Sequence, residues 1–146
     1  MKKYYHALVP LQPVLDRKEG HLTDYLCKDG RTNLSRVVSQ DNAEGKKAQL
    51  EWKLCGQYGQ GENNYALVEI ELFTGRHHQI RVQMSHAGMP LLGDNKYGNE
   101  ESEKLSQALG IRHTALLASR LSLSHPVSGK KLEYTLPFPD EWQIQN

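Results

Sequence analysis

The chain has 146 residues, 18 of them basic and 17 acidic, for a formal net charge of +1. That balance excludes a histone-like polycation, so any nucleic-acid binding has to come from a local basic face rather than from bulk charge. The length fits a single domain over 1–146, and no apolar run approaches the roughly 18–20 residues of a membrane span.

In chain order, residues 3–9 alternate, with Tyr5, Ala7 and Val9 on one side and Tyr4, His6 and Leu8 on the other. A period of two predicts a strand, which Pro10 and Pro13 end. The opening residues run straight into this pattern and show no apolar signal-peptide region. A polar stretch leads to a strand around residues 22–28, closed by an Asp29-Gly30 turn. Residues 33–39 and 47–55 are further short strand candidates, and 65–73 is the strongest, with Val68, Ile70 and Leu72 opposite Glu69 and Glu71. The period then changes. Ile80, Met84 and Ala87 stand at helical spacing, with Gly88 at the helix stop and Pro90 beyond it. Residues 101–109 predict a second short helix ended by Gly110, and 116–124 and 131–136 predict a closing hairpin. Strands dominate and the two helices come late. The fold class expected is α+β, with a mixed, mainly antiparallel sheet.

Two cysteines, Cys27 and Cys55, form neither a disulfide framework nor a metal motif. They suggest a reduced, cytoplasmic protein with both thiols in its core. The histidines His77, His78, His86, His113 and His125 show no HxxxH or HExxH spacing, so no metal site is expected from them.

Chemistry concentrates in 74–98, where Arg76, His77, His78, Arg81 and His86 fall within eleven residues at a strand-to-helix junction. A helix N-terminus offers free N–H groups and partial positive charge, and arginine adds a planar fork, so the segment suits a phosphate or carboxylate. Solvated charges on a polar helix face would give the same composition.

The run Thr74-Gly75-Arg76-His77-His78-Gln79-Ile80-Arg81-Val82, continuing through Gly88-Met89-Pro90, Gly93-Asp94 and Tyr97-Gly98, resembles the TGRxHQIR…GD..YG signature of the RluA-type RNA pseudouridine synthases. Lys3-x-Tyr5-x-Ala7-x-Val9 is similar to that family's K-x-Y-x-A-x-V strand, Gly45-Lys46-Lys47-Ala48 to its GK.A segment, and Leu116–Ser124 with His125-Pro126 to its LHA…HP strand. The resemblance runs from about residue 3 to residue 142. Two positions depart from it: Gln83 and Leu117 stand where many members carry histidine.

The resemblance implies about half of a pseudouridine synthase catalytic domain, its C-terminal portion. The family's catalytic aspartate lies in an HRLD motif upstream of the K-x-Y strand, and the 146 residues contain no such run. His21-Leu22-Thr23-Asp24 lies downstream and lacks the Arg-Leu pair, so Asp24 reads as an ordinary turn acid. The activity implied is isomerisation of uridine to pseudouridine in rRNA or tRNA without cofactor or metal, with this chain inactive alone; the alternative is a non-catalytic RNA-binding half-domain. Carried over by position, Arg81 matches the arginine that pairs with the catalytic aspartate, and Tyr5 matches the active-site tyrosine. Arg76, His77 and His78 match the RNA-contacting edge of the cleft. Asp94 is expected to be a turn-former, so Arg81 is expected to await a carboxylate that the chain lacks. Missing strands would leave an exposed face or edge, covered by self-association or by a partner segment.

Overall fold

A computed structural model of the protein describes residues 2–144. Seven strands form one sheet in the order β3-β2-β4-β5-β1-β6-β7. They are β1 (Lys2–Pro10), β2 (Glu19–Asp29), β3 (Leu34–Val38), β4 (Lys46–Gln60), β5 (Asn63–Leu72), β6 (Leu116–Ser124) and β7 (Lys131–Thr135). Every pairing among the described residues is antiparallel. Both edge strands have only five residues, which limits the unpaired backbone offered to other chains.

The two expected helices are α1 (Gln79–His86) and α2 (Glu100–Leu109). Gly88 follows α1 at φ +84° and Gly110 closes α2 at φ +74°, left-handed conformations that glycine adopts without a Cβ penalty. Asn99 caps α2 through a reciprocal pair of bonds with Ser102.

Alternation along β1 and β5 divides the side chains between the two sheet faces. One face packs Ala7, Val9, Leu50, Trp52, Val68 and Ile70 against Ile80 and Met84 of α1 and against Met89 and Leu91 beyond it. Burying each such large aliphatic side chain contributes about 1.5–3 kcal/mol. The other face is split. Leu8, Tyr65 and Leu67 lie under Leu92, Ile111 and Trp142. Further along the same face, His6, Glu69 and Arg120 form a polar cluster.

Two features departed from the sequence pattern. Strand β4 extends to Gln60 instead of ending at Cys55, because its outer part is a solvent-exposed ribbon without apolar alternation. There Tyr58 pairs with Tyr65 across the hairpin, ring centroids 5.8 Å apart. Residues Pro13–Arg17, within the polar stretch, form a 3-10 turn that buries Leu15. Cys27 is buried as expected, but Cys55 is exposed. It occupies a β-bulge between Leu54 and Gly56, where the extra residue has no partner on β5.

Candidate active site at the start of helix α1

The turn from β5 into α1 is organised by two buried glutamines. The Gln79 side-chain carbonyl accepts from the Thr74 hydroxyl and the Arg76 N–H, both at 2.9 Å, while its amide donates to the Gln49 carbonyl at 3.0 Å and to Gln83 at 2.9 Å. The fully buried Gln83 donates in turn to the Ala48 carbonyl at 3.1 Å and to Asp24 at 3.0 Å. The TGR…Q order thus has a physical basis, since the glutamine side chain satisfies the backbone of the loop that precedes its own helix. Gln83, one of the two departures from the family pattern, ties α1 to β2 and β4.

His78 caps α1 in the left-handed region at φ 53°. Its Nδ1 lies 2.6 Å from the Tyr97 hydroxyl, which also accepts the Ser35 N–H at 3.0 Å. His77 stacks on His78 at 3.8 Å between centroids, and its Nδ1 lies 2.7 Å from the Ser35 hydroxyl. Burial lowers the pKa of both histidines, and nearby Lys96 and Arg81 lower them further. At neutral pH they are therefore hydrogen-bonding groups rather than charges. The Nε of Arg76 donates to the Lys47 carbonyl at 2.8 Å. Arg76 and His77 line a cleft of about 430 Å³ shared with Lys28 and Lys46.

Arg81 has a carboxylate partner within the chain, contrary to the sequence expectation. Its Nε donates to one oxygen of Asp94 at 2.9 Å and its Nη2 to the other at 2.7 Å, and the guanidinium lies 5.1 Å from the Tyr97 ring centroid. Asp94 also forms the expected turn, accepting the Lys96 and Tyr97 N–H groups at 3.0 and 3.1 Å. Burial pushes the Asp94 carboxyl up, but the Arg81 guanidinium and the two N–H groups outweigh it and hold it below the usual carboxylate range. Gly93 makes the turn possible, since at φ +75° any Cβ would stand 2.1 Å from the His113 carbonyl oxygen.

Tyr5 lies on the α1 side of the sheet, packed against the core cluster that contains Ile80 and Met84. It also lines a cleft with Lys3, Leu121 and Tyr134. The polar and ring contacts of Arg81 among the described residues go to Asp94 and Tyr97, not to Tyr5. The fold thus joins Arg81, His77 and His78 through Tyr97 and Ser35, while Tyr5 reaches α1 from β1 through the apolar cluster that holds Ile80 and Met84. Tyr97, Ser35 and Gln79 carry this arrangement and were not singled out by sequence. The presence of Tyr97 in the YG pair was the available signal.

A seven-stranded antiparallel sheet, with a half-buried arginine in the first turn of a short helix packed on it, frames this site. The chain belongs to the RNA pseudouridylate synthase family, whose profile matches residues 1–86. It is 36% identical over 144 residues to an uncharacterized RNA pseudouridine synthase of Chloroflexus aurantiacus, covering 99% of this chain and 41% of the relative. It is 32% identical to ribosomal large subunit pseudouridine synthase D of Zymomonas mobilis, covering 99% of this chain and 44% of that protein. Against tRNA pseudouridine synthase C of Yersinia pestis the identity is 31%, with 98% and 57% covered. The solved structure of human RNA pseudouridylate synthase domain containing 1 superposes with a TM-score of 0.74 at 22% identity, over 94% of this chain and 55% of that one. The chain thus spans roughly half, or less, of each of these relatives. Among the described residues no helix is long and apolar enough to cross a membrane.

Proposed function

We propose that this chain is the arginine- and tyrosine-bearing portion of an enzyme that isomerises uridine to pseudouridine in ribosomal or transfer RNA. The observation that carries the reading is Arg81, whose side chain is only 17% exposed and is fixed by Asp94 through Nε and Nη2. Five N–H donors in one plane leave the Nη1 edge for a second carboxylate, that of the attacking aspartate. An adjacent guanidinium keeps such a carboxylate ionised and fixes its orientation. Asp94 then acts as the buttress of Arg81 rather than as the attacking group, because both of its oxygens are already committed. Tyr5 supplies a ring to stack on the uracil and a phenol to handle a proton. Arg76, with Lys28 and Lys46 beside it, meets the RNA backbone, and the neutral His77 and His78 offer hydrogen bonds at the same edge.

These 146 residues contain no His-Arg-Leu-Asp run, and loss of an essential nucleophile removes many orders of magnitude of rate. The test is tritium release from RNA carrying 5-³H-uridine. The chain alone is expected to release none while still retarding RNA on a filter, with an affinity that falls as salt rises. Robust release by the chain alone, or retention indifferent to salt, contradicts the reading. The cytoplasm, as the compartment that holds these RNAs, completes it. A second copy or a partner segment on the exposed Tyr134 and Leu136 is the matching proposal for assembly, and light scattering tests it.

A further inference from the structure

On the sheet face away from α1, three strands bring together residues that no sequence spacing connects. His6 on β1 stands directly opposite Glu69 on β5, with Nε2 3.3 Å from a carboxylate oxygen. Cys55 is the extra residue of the β4 bulge, which places its thiol beside the same pair. The ligand atoms of His6, Cys55 and Glu69 all lie within 4.8 Å of one another.

We propose that His6, Cys55 and Glu69 bind a divalent transition-metal ion of the zinc type, with water as the fourth ligand. The donor set of one imidazole, one thiolate and one carboxylate suits zinc. In a tetrahedral site with bonds of about 2.0 Å, neighbouring nitrogen and oxygen ligands stand about 3.3 Å apart, the separation already present between His6 and Glu69. Cys55 is exposed and has the side-chain freedom to close the remaining distance.

The surroundings orient two of the three ligands. The Ser119 hydroxyl donates to the Tyr4 carbonyl at 3.3 Å and also contacts Nδ1 of His6. In the tautomer in which Nδ1–H donates to this hydroxyl, whose own proton goes to Tyr4, the lone pair on Nε2 faces the carboxylate. Two acceptors then face each other, an arrangement that a shared cation resolves. Arg120 holds the other Glu69 oxygen at 3.3 Å and orients the carboxylate without occupying the oxygen that faces His6. Binding displaces the thiol proton of Cys55 to solvent, so uptake releases one proton.

Cobalt(II) titration of the whole chain tests this. The expected result is saturation at one equivalent, with a near-ultraviolet sulfur-to-cobalt charge-transfer band that zinc abolishes by displacement. Cys55→Ser should remove the band and weaken zinc binding at least about tenfold, as should His6→Asn. His113→Ala, at an exposed histidine on another part of the surface, should leave both unchanged. Absence of the band in the native chain, or its survival in Cys55→Ser, overturns the proposal. Cobalt held only by surface histidines gives binding without the band and overturns it equally. Far-ultraviolet circular dichroism of each variant separates ligand loss from unfolding.

Discussion

Two arginine–carboxylate pairs, on separate parts of the molecule, differ in what surrounds them. Arg81 and Asp94 meet through two bonds at 2.7 and 2.9 Å, with side-chain exposures of 17% and 1%. Asp94 also accepts two backbone N–H groups, so each of its oxygens is used. Arg120 and Glu69 meet through one contact at 3.3 Å, with exposures of 34% and 24%, and the buried Nε of Arg120 has no partner among the described residues. The Arg120 guanidinium stacks on Tyr4 at 4.0 Å instead. The first pair is a closed structural unit that presents one remaining edge. The second is open on the side of Glu69 that faces His6 and Cys55. Burial and saturation of hydrogen bonds, rather than the presence of opposite charges, separate a carboxylate wholly committed to the fold from one with an oxygen left for a ligand.

The largest effect should come from breaking the closed pair. Asp94→Ala leaves a mostly buried guanidinium unpaired and two backbone donors unsatisfied, and is expected to cost about 3–5 kcal/mol in urea unfolding. Asp94→Asn keeps acceptors for the turn and should cost less. Glu69→Ala, at the open pair, should change stability by no more than about 1 kcal/mol. Equal costs for the two alanine variants would erase the distinction between the pairs.

Gln83→Ala should fall between these limits, at about 1–3 kcal/mol, because it removes the side-chain donor to the Ala48 carbonyl and leaves one N–H of the Gln79 amide without its acceptor in the interior. A value near zero in the same unfolding experiment would remove Gln83 from the supports of the Arg81 helix.

Acidification sharpens the comparison in a different way. His6, His77 and His78 all have lowered folded-state pKa values, with burial the first cause in each. Their unfolded forms take up protons near pH 6.5, so the unfolded state binds more protons there and stability falls as pH drops from about 7 toward 5. Asp94 is also lowered, but its contribution persists down to the unfolded carboxylate range near pH 4 and is lost only as pH falls through its folded value. The urea midpoint should therefore decline between pH 7.5 and 5.5 with the closed pair intact. A midpoint that rises on acidification would contradict the neutral histidines.

Much of the sheet was legible because its strands alternate and glycines mark the stops of both helices. What escaped were features fixed by tertiary contact. The outer half of β4 is solvent-exposed, so its sequence carries no apolar period. The bulge at Cys55 follows from strand register, which spacing along one strand does not encode. Arg81 was identified by motif, but its partner was assigned outside the chain, because a Gly-Asp pair reads equally as a turn and as an anion. Asp94 is both, and only the packing of α1 against the 93–98 loop makes the second role visible. Similarly, the sequence of His77 and His78 does not show that burial, and then the cationic groups beside them, lowers the pKa of both.

The central claim is that Arg81, buttressed by Asp94, presents its free edge to an attacking carboxylate. A chimera that joins the preceding portion of the Zymomonas mobilis relative to this chain supplies a partner for that edge, and tritium release from 5-³H-uridine RNA reads the outcome. Release is expected from the chimera and a loss of at least about a hundredfold from its Arg81→Lys form, since lysine replaces the planar fork with a single point charge. An Arg81→Lys chimera that releases tritium at the unaltered rate would contradict it.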